Sequence, residues 1–243
     1  MFLQKLSLIN FKNYGQSELE FTTKVNCFIG NNGVGKTNIF DAIYYLCLCK
    51  SYFNPVDRQN IKHNEELAVI QGLFKINGKN EEIYCGISKN RRKAFKRNKK
   101  EYSKLSDHIG LFPVVMISPA DTNLILDGSE ERRKFINGVI VQYDKNYLED
   151  IIKYNKLIEQ RNKILKNIAF GNGSQEDTIE IYDEQIIPLA ERVYEKRLDF
   201  TNKLIPVFQR YYDFISSGKE NVELIYKSQL SEGDFRDQLL QSR

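Results

Sequence analysis

Histidine occurs only twice in the 243 residues, at His63 and His108, and the four cysteines (Cys27, Cys47, Cys49, Cys85) contain no C-x-x-C pair. That scarcity argues against a zinc site. The cysteines lie in apolar segments, which reads as reduced core thiols of a cytosolic protein. No apolar run approaches the ~20 residues of a membrane span, so no membrane partner is expected. The N-terminus, Met1-Phe2-Leu3-Gln4-Lys5, has neither the apolar stretch nor the small-residue cleavage site of a signal peptide. Internal repeats and low-complexity tracts are also missing. What remains is globular: 41% hydrophobic and 28% charged residues, in a length that suits one large domain or two modest ones.

The net charge of +4 is unevenly placed. Residues 89–104 hold nine Lys/Arg and one acid, and the rest of the chain has 27 basic and 31 acidic residues. One short segment therefore carries the whole positive balance. Such a run either faces a polyanion or is a solvated hairpin surface, and charge alone does not separate the two.

Residues 1–30 alternate as strands do, ending in the apolar run Val25–Ile29. Residues 36–49 have helical spacing. A β-meander is expected over 67–97, with strands near Ala68–Ile76, Glu82–Ser88 and Ala94–Arg97 and turns at Asn77-Gly78 and Lys89-Asn90. Phe112–Ile117 reads as a buried strand. Ser118-Pro119-Ala120-Asp121 reads as a helix start, with Ser118 as cap. Helical spacing then runs through 130–168 and again from Thr178 to Ile215, where Pro188 and Pro206 should kink or divide it. Gly171–Ser174 breaks the two helical stretches, which predicts a long αα-hairpin inserted after a β-rich lobe. Val222–Tyr226 is expected as a returning strand. The domain boundaries expected are 1–120, 121–218 and 219–243.

Gly30-Asn31-Asn32-Gly33-Val34-Gly35-Lys36-Thr37 fits G-x-x-x-x-G-K-[ST] between an apolar run and a helix, and Asn38 follows. Glycines let the backbone wrap closely around phosphates, with amides and a helix N-terminus facing the charge. Lys36 is expected at the β- and γ-phosphates and Thr37 at Mg²⁺. ATP and Mg²⁺ are therefore the expected cofactors. No convincing second strand ends in an acid: Val114–Ile117 ends in Ser-Pro, and Ile181-Tyr182-Asp183-Glu184 lies in a helical pattern. An L-S-x-G-Q signature is missing too. The stop at Arg243 then reads as the end of a piece whose remaining half lies beyond it.

Leu8–Tyr14, Phe28–Asn38 and Asp41–Leu46 together resemble the N-terminal part of the RecF family, bacterial recombination and gap-repair ATPases with an SMC-like, ABC-type head. Lys50-Ser51-Tyr52, Arg58–His63, Val114–Asp121 and Gly128–Asn137 resemble further family blocks in the same order, so the likeness covers roughly residues 1–140. It implies an α/β fold: an ABC-type P-loop lobe with a mixed β-sheet around the P-loop helix and the helical hairpin inserted. It implies an ATP-dependent homodimer that clamps double-stranded DNA and single-strand/duplex junctions, works with RecR and RecO, and loads recombinase during gap repair, replication-fork maintenance and the SOS response in the cytoplasm. It implies slow, DNA-stimulated ATP hydrolysis. In that setting Arg58, Arg91, Arg92, Lys93, Lys96, Arg97, Lys99 and Lys100 become the expected DNA contacts. Arg132 and Arg133 are expected at a nucleotide or partner surface, or as solvated charges paired with Glu130 or Glu131. The family often has Arg where Phe53 stands here. Two alternatives stay open: a nucleotide-switched scaffold without hydrolysis, and a small-molecule P-loop kinase.

Overall fold

The structure is a computed structural model describing residues 1–170 and 176–242, so the expected break at Gly171–Ser174 lies outside the described residues. Two compact units are present, Met1–Asp121 and Thr122–Arg243.

In the first unit, β1 (Phe2–Ile9), β2 (Gln16–Glu20), β3 (Leu67–Ile76), β4 (Lys79–Ser88), β5 (Ala94–Arg97) and β6 (Lys100–Glu101) form one sheet in the order β2-β1-β3-β4-β5-β6. Every pairing is antiparallel. Alternation sets the faces. Leu6, Leu8, Ala68, Ile70, Phe74, Ile83, Cys85, Ile87 and Phe95 point inward, and charged residues such as Lys5 and Glu18 point out. The β3–β4 hairpin closes on two residues, Asn77 and Gly78, both with positive φ, the geometry that matches strand twist. Helix α1 (Lys36–Leu48) lays Ile39, Ala42, Tyr45 and Leu46 on the inner face. Burial of a side chain the size of Ile39 or Leu46 contributes about 1.5–3 kcal/mol.

Two expected strands are absent from this sheet. Val25–Ile29 and Phe112–Ile117 run without ladder partners among the described residues. Val25 and Ile29 are 82% and 96% exposed, and Val115 and Ile117 are each 84% exposed. Apolar composition identified these runs as extended, but strand status needs a neighbour. Of the four cysteines only Cys47, Cys49 and Cys85 are core; Cys27 is exposed, contrary to expectation. Burial pushes the Cys47 and Cys49 thiols up to about 12.

In the second unit, a single helical turn α2 (Asn123–Leu126) precedes α3 (Ser129–Ile140), α4 (Lys145–Ala169), α5 (Glu176–Ser216) and α6 (Phe235–Gln241). The stretch read as one helix over 130–168 is two, because the Asp144 side chain caps a new start by accepting from the Tyr147 amide. The pairs Asp144–Lys196, Asp150–Arg192 and Arg161–Asp183 show α4 and α5 running antiparallel. Pro188 and Pro206 lie inside α5 without dividing it. Tyr147 is core, whereas Tyr143 is largely exposed. The Val222–Tyr226 strand is not formed; Tyr226 stacks on Tyr194 instead. Among the described residues no helix is long and apolar enough to cross a membrane.

His108 is fully buried in the first unit, stacked on Phe112. Its Nε2 donates to the Leu46 carbonyl at 2.7 Å, so Nδ1 accepts from the Tyr102 hydroxyl at 3.0 Å. Burial holds its pKa down at about 4. A folded value below the unfolded ~6.5 gives stability that is complete above pH 6.5 and drains away as pH falls towards 4, about 3 kcal/mol in all. The wild type should therefore lose more stability than His108→Gln across that window when denaturant midpoints are compared at each pH. Parallel profiles would contradict this.

Candidate phosphate-binding site

The loop Gly30–Gly35 delivers the chain to α1 with Gly33 at φ +83 and Gly35 at φ +103. Both lie where side chains are strained. At Gly35 a Cβ would also meet the Asn13 side chain at 2.5 Å, so glycine is required there for space as well. Helix α1 starts with no side-chain cap and no acid in its first turn. Its leading amides and the positive end of its dipole are left for an external anion.

Lys36 curls over this loop, its ammonium donating to the Gly30 and Asn31 carbonyls at 2.7 and 2.8 Å. Thr37 is exposed in the first turn and Asn38 donates to Asn13 Oδ1 at 2.8 Å. Glycine-lined amides, one ammonium and a hydroxyl together fit a polyphosphate with a hard cation beside it. The motif residues Gly30 to Asn38 are thus brought to one place.

The turn after β1 supplies groups that sequence reading did not assign. Asn13 Nδ2 donates to the Val34 carbonyl at 3.0 Å and the Tyr14 hydroxyl to the Gly35 carbonyl at 3.2 Å. Lys12 reaches Asp41 at 2.5 Å. Asp41 is fully buried on α1 and also accepts from the Ser51 hydroxyl at 2.7 Å and the Tyr52 amide at 2.6 Å. One signal was available: an Asp amid Ile39, Ala42, Tyr45 and Leu46 on an apolar helix face needs a buried partner. Phe53, which stands where the resembled family often has Arg, packs its ring 5.5 Å from the Lys12 ammonium. Asp121 accepts from the Tyr52 hydroxyl at 2.5 Å and the Ser118 amide at 2.8 Å, and these bonds hold its carboxyl below the usual range.

The basic run does not form one uniform strip. Lys93 is half-buried, paired with Asp57 at 2.9 Å, donating to the Cys49 carbonyl at 2.7 Å and sitting over the Tyr45 ring. Arg97 pairs with Glu81 at 2.9 Å. Lys96 lies over the Tyr84 ring. Arg91 and Arg92 lie in the turn before β5, whereas Lys99 is in the turn after it and Lys100 starts β6. These four are exposed and, among the described residues, make no salt bridge. Arg58 is exposed beside Asp57. In the second unit, Arg132 donates to the Leu124 and Asp127 carbonyls and Arg133 to the Ser129 hydroxyl. Lys134, not these arginines, pairs with Glu130 and Glu131.

Residues 2–235 match the model of the RecF/RecN/SMC N-terminal domain. The DNA replication and repair protein RecF of Phocaeicola vulgatus is 49% identical over the whole chain, and that of Flavobacterium johnsoniae 48% identical over 97% of it. The chain spans 65% and 66% of those relatives' lengths. A solved structure described as the recombination mediator protein RecF-ATPrS in the RecFOR pathway superposes with TM-score 0.87 at 30% identity, covering 99% of this chain and 65% of that one. One described as RecF-ATP gives TM-score 0.84 at 28% identity with the same coverage.

Lys93→Ala should destabilise the first unit by about 1–2 kcal/mol, since it strands Asp57 and the Cys49 carbonyl. Arg92→Ala, on an exposed side chain, should stay within ~0.5 kcal/mol of wild type. Denaturant melts of the two variants check the contrast; equal effects would refute it.

Proposed function

The chain belongs to the RecF/RecN/SMC N-terminal domain family and has the SMC/RecF ABC-type ATPase head fold, and from this we propose that it is the ATP-binding part of a RecF-type DNA-repair clamp. The observation that carries the reading is the loop itself. An uncapped helix start, two positive-φ glycines and a lysine arched over the backbone converge at Gly30–Thr37. Gly30 to Asn38 bind the phosphates of ATP, Lys36 compensates the β/γ charge, and the Thr37 hydroxyl holds Mg²⁺. When bound, Mg²⁺ bridges and neutralises phosphate oxygens.

In the same reading ATP closes a homodimer around duplex DNA or a single-strand/duplex junction, in the cytoplasm, with RecR and RecO as partners in recombinase loading at gaps. The second unit, Thr122–Arg243, serves as the helical domain inserted in the head. The DNA surface is drawn from Arg58, Arg91, Arg92, Lys96, Lys99 and Lys100, whose charges are not committed to acids. Lys93 and Arg97 brace the hairpin that carries them. Arg132 and Arg133, which bond backbone carbonyls and the Ser129 hydroxyl around the start of α3, are kept as a nucleotide or partner surface. A scaffold that uses ATP as a switch has one observation in its favour. Asp41 and Asp121 both spend their carboxylates on hydrogen bonds within the protein.

Lys36→Ala should abolish ATP binding in calorimetry while leaving the melting profile intact. Equal affinities would remove the ATP reading. In DNA titrations, changing Arg91, Arg92 and Lys99 together to Ala should flatten the slope of log K against log salt by up to about 2–3 units and weaken all duplex sequences alike. An unchanged slope would leave the basic run as a solvated hairpin.

A further inference from the structure

We propose that Asn13 and Tyr14 are positioning residues that set the direction of the phosphate-facing amides, and that the buried Lys12–Asp41 pair holds them in place. This rests on the reading of Gly30–Thr37 as the ATP site.

The argument starts from peptide planarity. The Val34 carbonyl and the Gly35 N–H belong to one rigid unit and point opposite ways. Asn13 Nδ2 captures that carbonyl at 3.0 Å, so the Gly35 N–H is aimed away from Asn13. The Gly35 carbonyl and the Lys36 N–H form the next unit, and the Tyr14 hydroxyl captures that carbonyl at 3.2 Å. The two amides that open α1 are thus fixed before any ligand arrives. Gly35, at φ +103, cannot hold this geometry through its own preference, because glycine visits many conformations. The Gly35 carbonyl also accepts the first helical bonds, from the Asn38 and Ile39 amides at 2.9 and 3.3 Å, so Tyr14 reinforces a plane the helix already holds, whereas Asn13 sets the Val34–Gly35 plane from outside the loop.

The turn that carries Asn13 and Tyr14 is itself held. Lys12 has φ 53, an uncommon backbone state for a lysine, and its amide donates to the Asn60 carbonyl at 2.8 Å. Its ammonium is held by Asp41, and Asn38 on α1 donates to Asn13 Oδ1. Asp41 lies four residues after Thr37, one helical turn deeper along the same helix. A buried carboxylate without Lys12 would be left as an uncompensated charge, so the pair holds the turn against α1 firmly even though its net stabilisation is small. Asp41 touches no loop residue of Gly30–Gly35 in this network; it acts through Lys12 and the turn.

The test uses the 243-residue chain, ATP as probe, and ¹⁵N-labelled protein. Asn13→Ala and Tyr14→Phe should each weaken ATP binding about three- to tenfold with melting temperatures close to wild type. In the unliganded protein they should selectively shift the amide resonances of Gly35 and Lys36, a signature that a role confined to stability would not give. Lys12→Met combined with Asp41→Asn removes both buried charges, so neither is stranded if the single change fails to fold, and it should move the same two amides and weaken ATP binding by a similar factor. If Lys36→Ala loses ATP while Asn13→Ala and Tyr14→Phe bind as wild type does, with Gly35 and Lys36 unshifted, the positioning role is overturned and the ATP site stands. If the wild-type chain itself fails to bind ATP, the site reading falls, and this inference falls with it.

Discussion

A loop that grips an anion with backbone amides has to dispose of the carbonyls of the same peptide units, because each rigid plane carries both. In this chain the disposal is explicit. The Gly30 and Asn31 carbonyls are taken by Lys36, the Val34 carbonyl by Asn13 and the Gly35 carbonyl by Tyr14. Four acceptors that would repel phosphate are bonded to side chains. Much of the first unit follows from this. The turn after β1 must lie against the loop, which fixes how β1 ends. The Asn10 amide donates to the Gly15 carbonyl and the Lys62 amide to the Asn10 carbonyl, so the turn is pinned from both sides. The bridge between Phe11 and Ile61 then carries the segment after the 57–60 turn back to the sheet.

Burial turns these contacts into a single body. Asp41 is the one acid on the inward face of α1, and its oxygens receive Lys12, Ser51 and the Tyr52 amide. A carboxylate in that position is tolerable only with such a set, since an unpaired buried charge is several kcal/mol unfavourable. The loop at 51–54 is therefore tied to the same helix that begins at the phosphate loop. Tyr52 extends the tie to Asp121 and Ser118. Farther along α1, Tyr45 bonds Asp57, which pairs with Lys93 of the basic run. The helix that starts at the glycine-rich loop thus touches, through polar contacts, both the 57–60 turn and the residue before β5.

Local patterns were legible in the sequence and distant partnerships were not. The G-x-x-x-x-G-K-T spacing, the Asn77-Gly78 turn and the alternation of β3 and β4 each sit within a few residues, and each appears where the pattern places it. Family likeness supplied the head fold, which no single pattern could. Apolar composition failed at Val25–Ile29, Phe112–Ile117 and Val222–Tyr226, because a strand is defined by its neighbour and not by its own residues. The helix read through 130–168 failed at Asp144, where a capping side chain outweighed continuous spacing. The Lys12–Asp41 pair spans 29 positions, and Asn13 to Val34 spans 21. No periodicity reports contacts at that separation, although a lone acid on an apolar face was a clue to the first.

Charge counting overstated the basic run for a related reason. A formal charge of +8 over residues 89–104 includes Lys93 and Arg97, whose fields are largely cancelled by Asp57 and Glu81 at 2.9 Å. Lys89 is likewise beside Glu66 at 3.1 Å. The uncommitted charges sit in the turns on either side of β5, four residues of strand apart, which is roughly 13 Å at ~3.3 Å per residue. Duplex DNA presents phosphates about every 3.4 Å along one strand. In the proposed DNA reading, two clusters with that separation would meet different phosphates, whereas a compact patch would compete for the same ones. The paired residues matter to such a surface through stiffness. By fixing both ends of β5 they hold the clusters at constant spacing, so in that reading less ordering entropy would be lost on docking an anionic backbone.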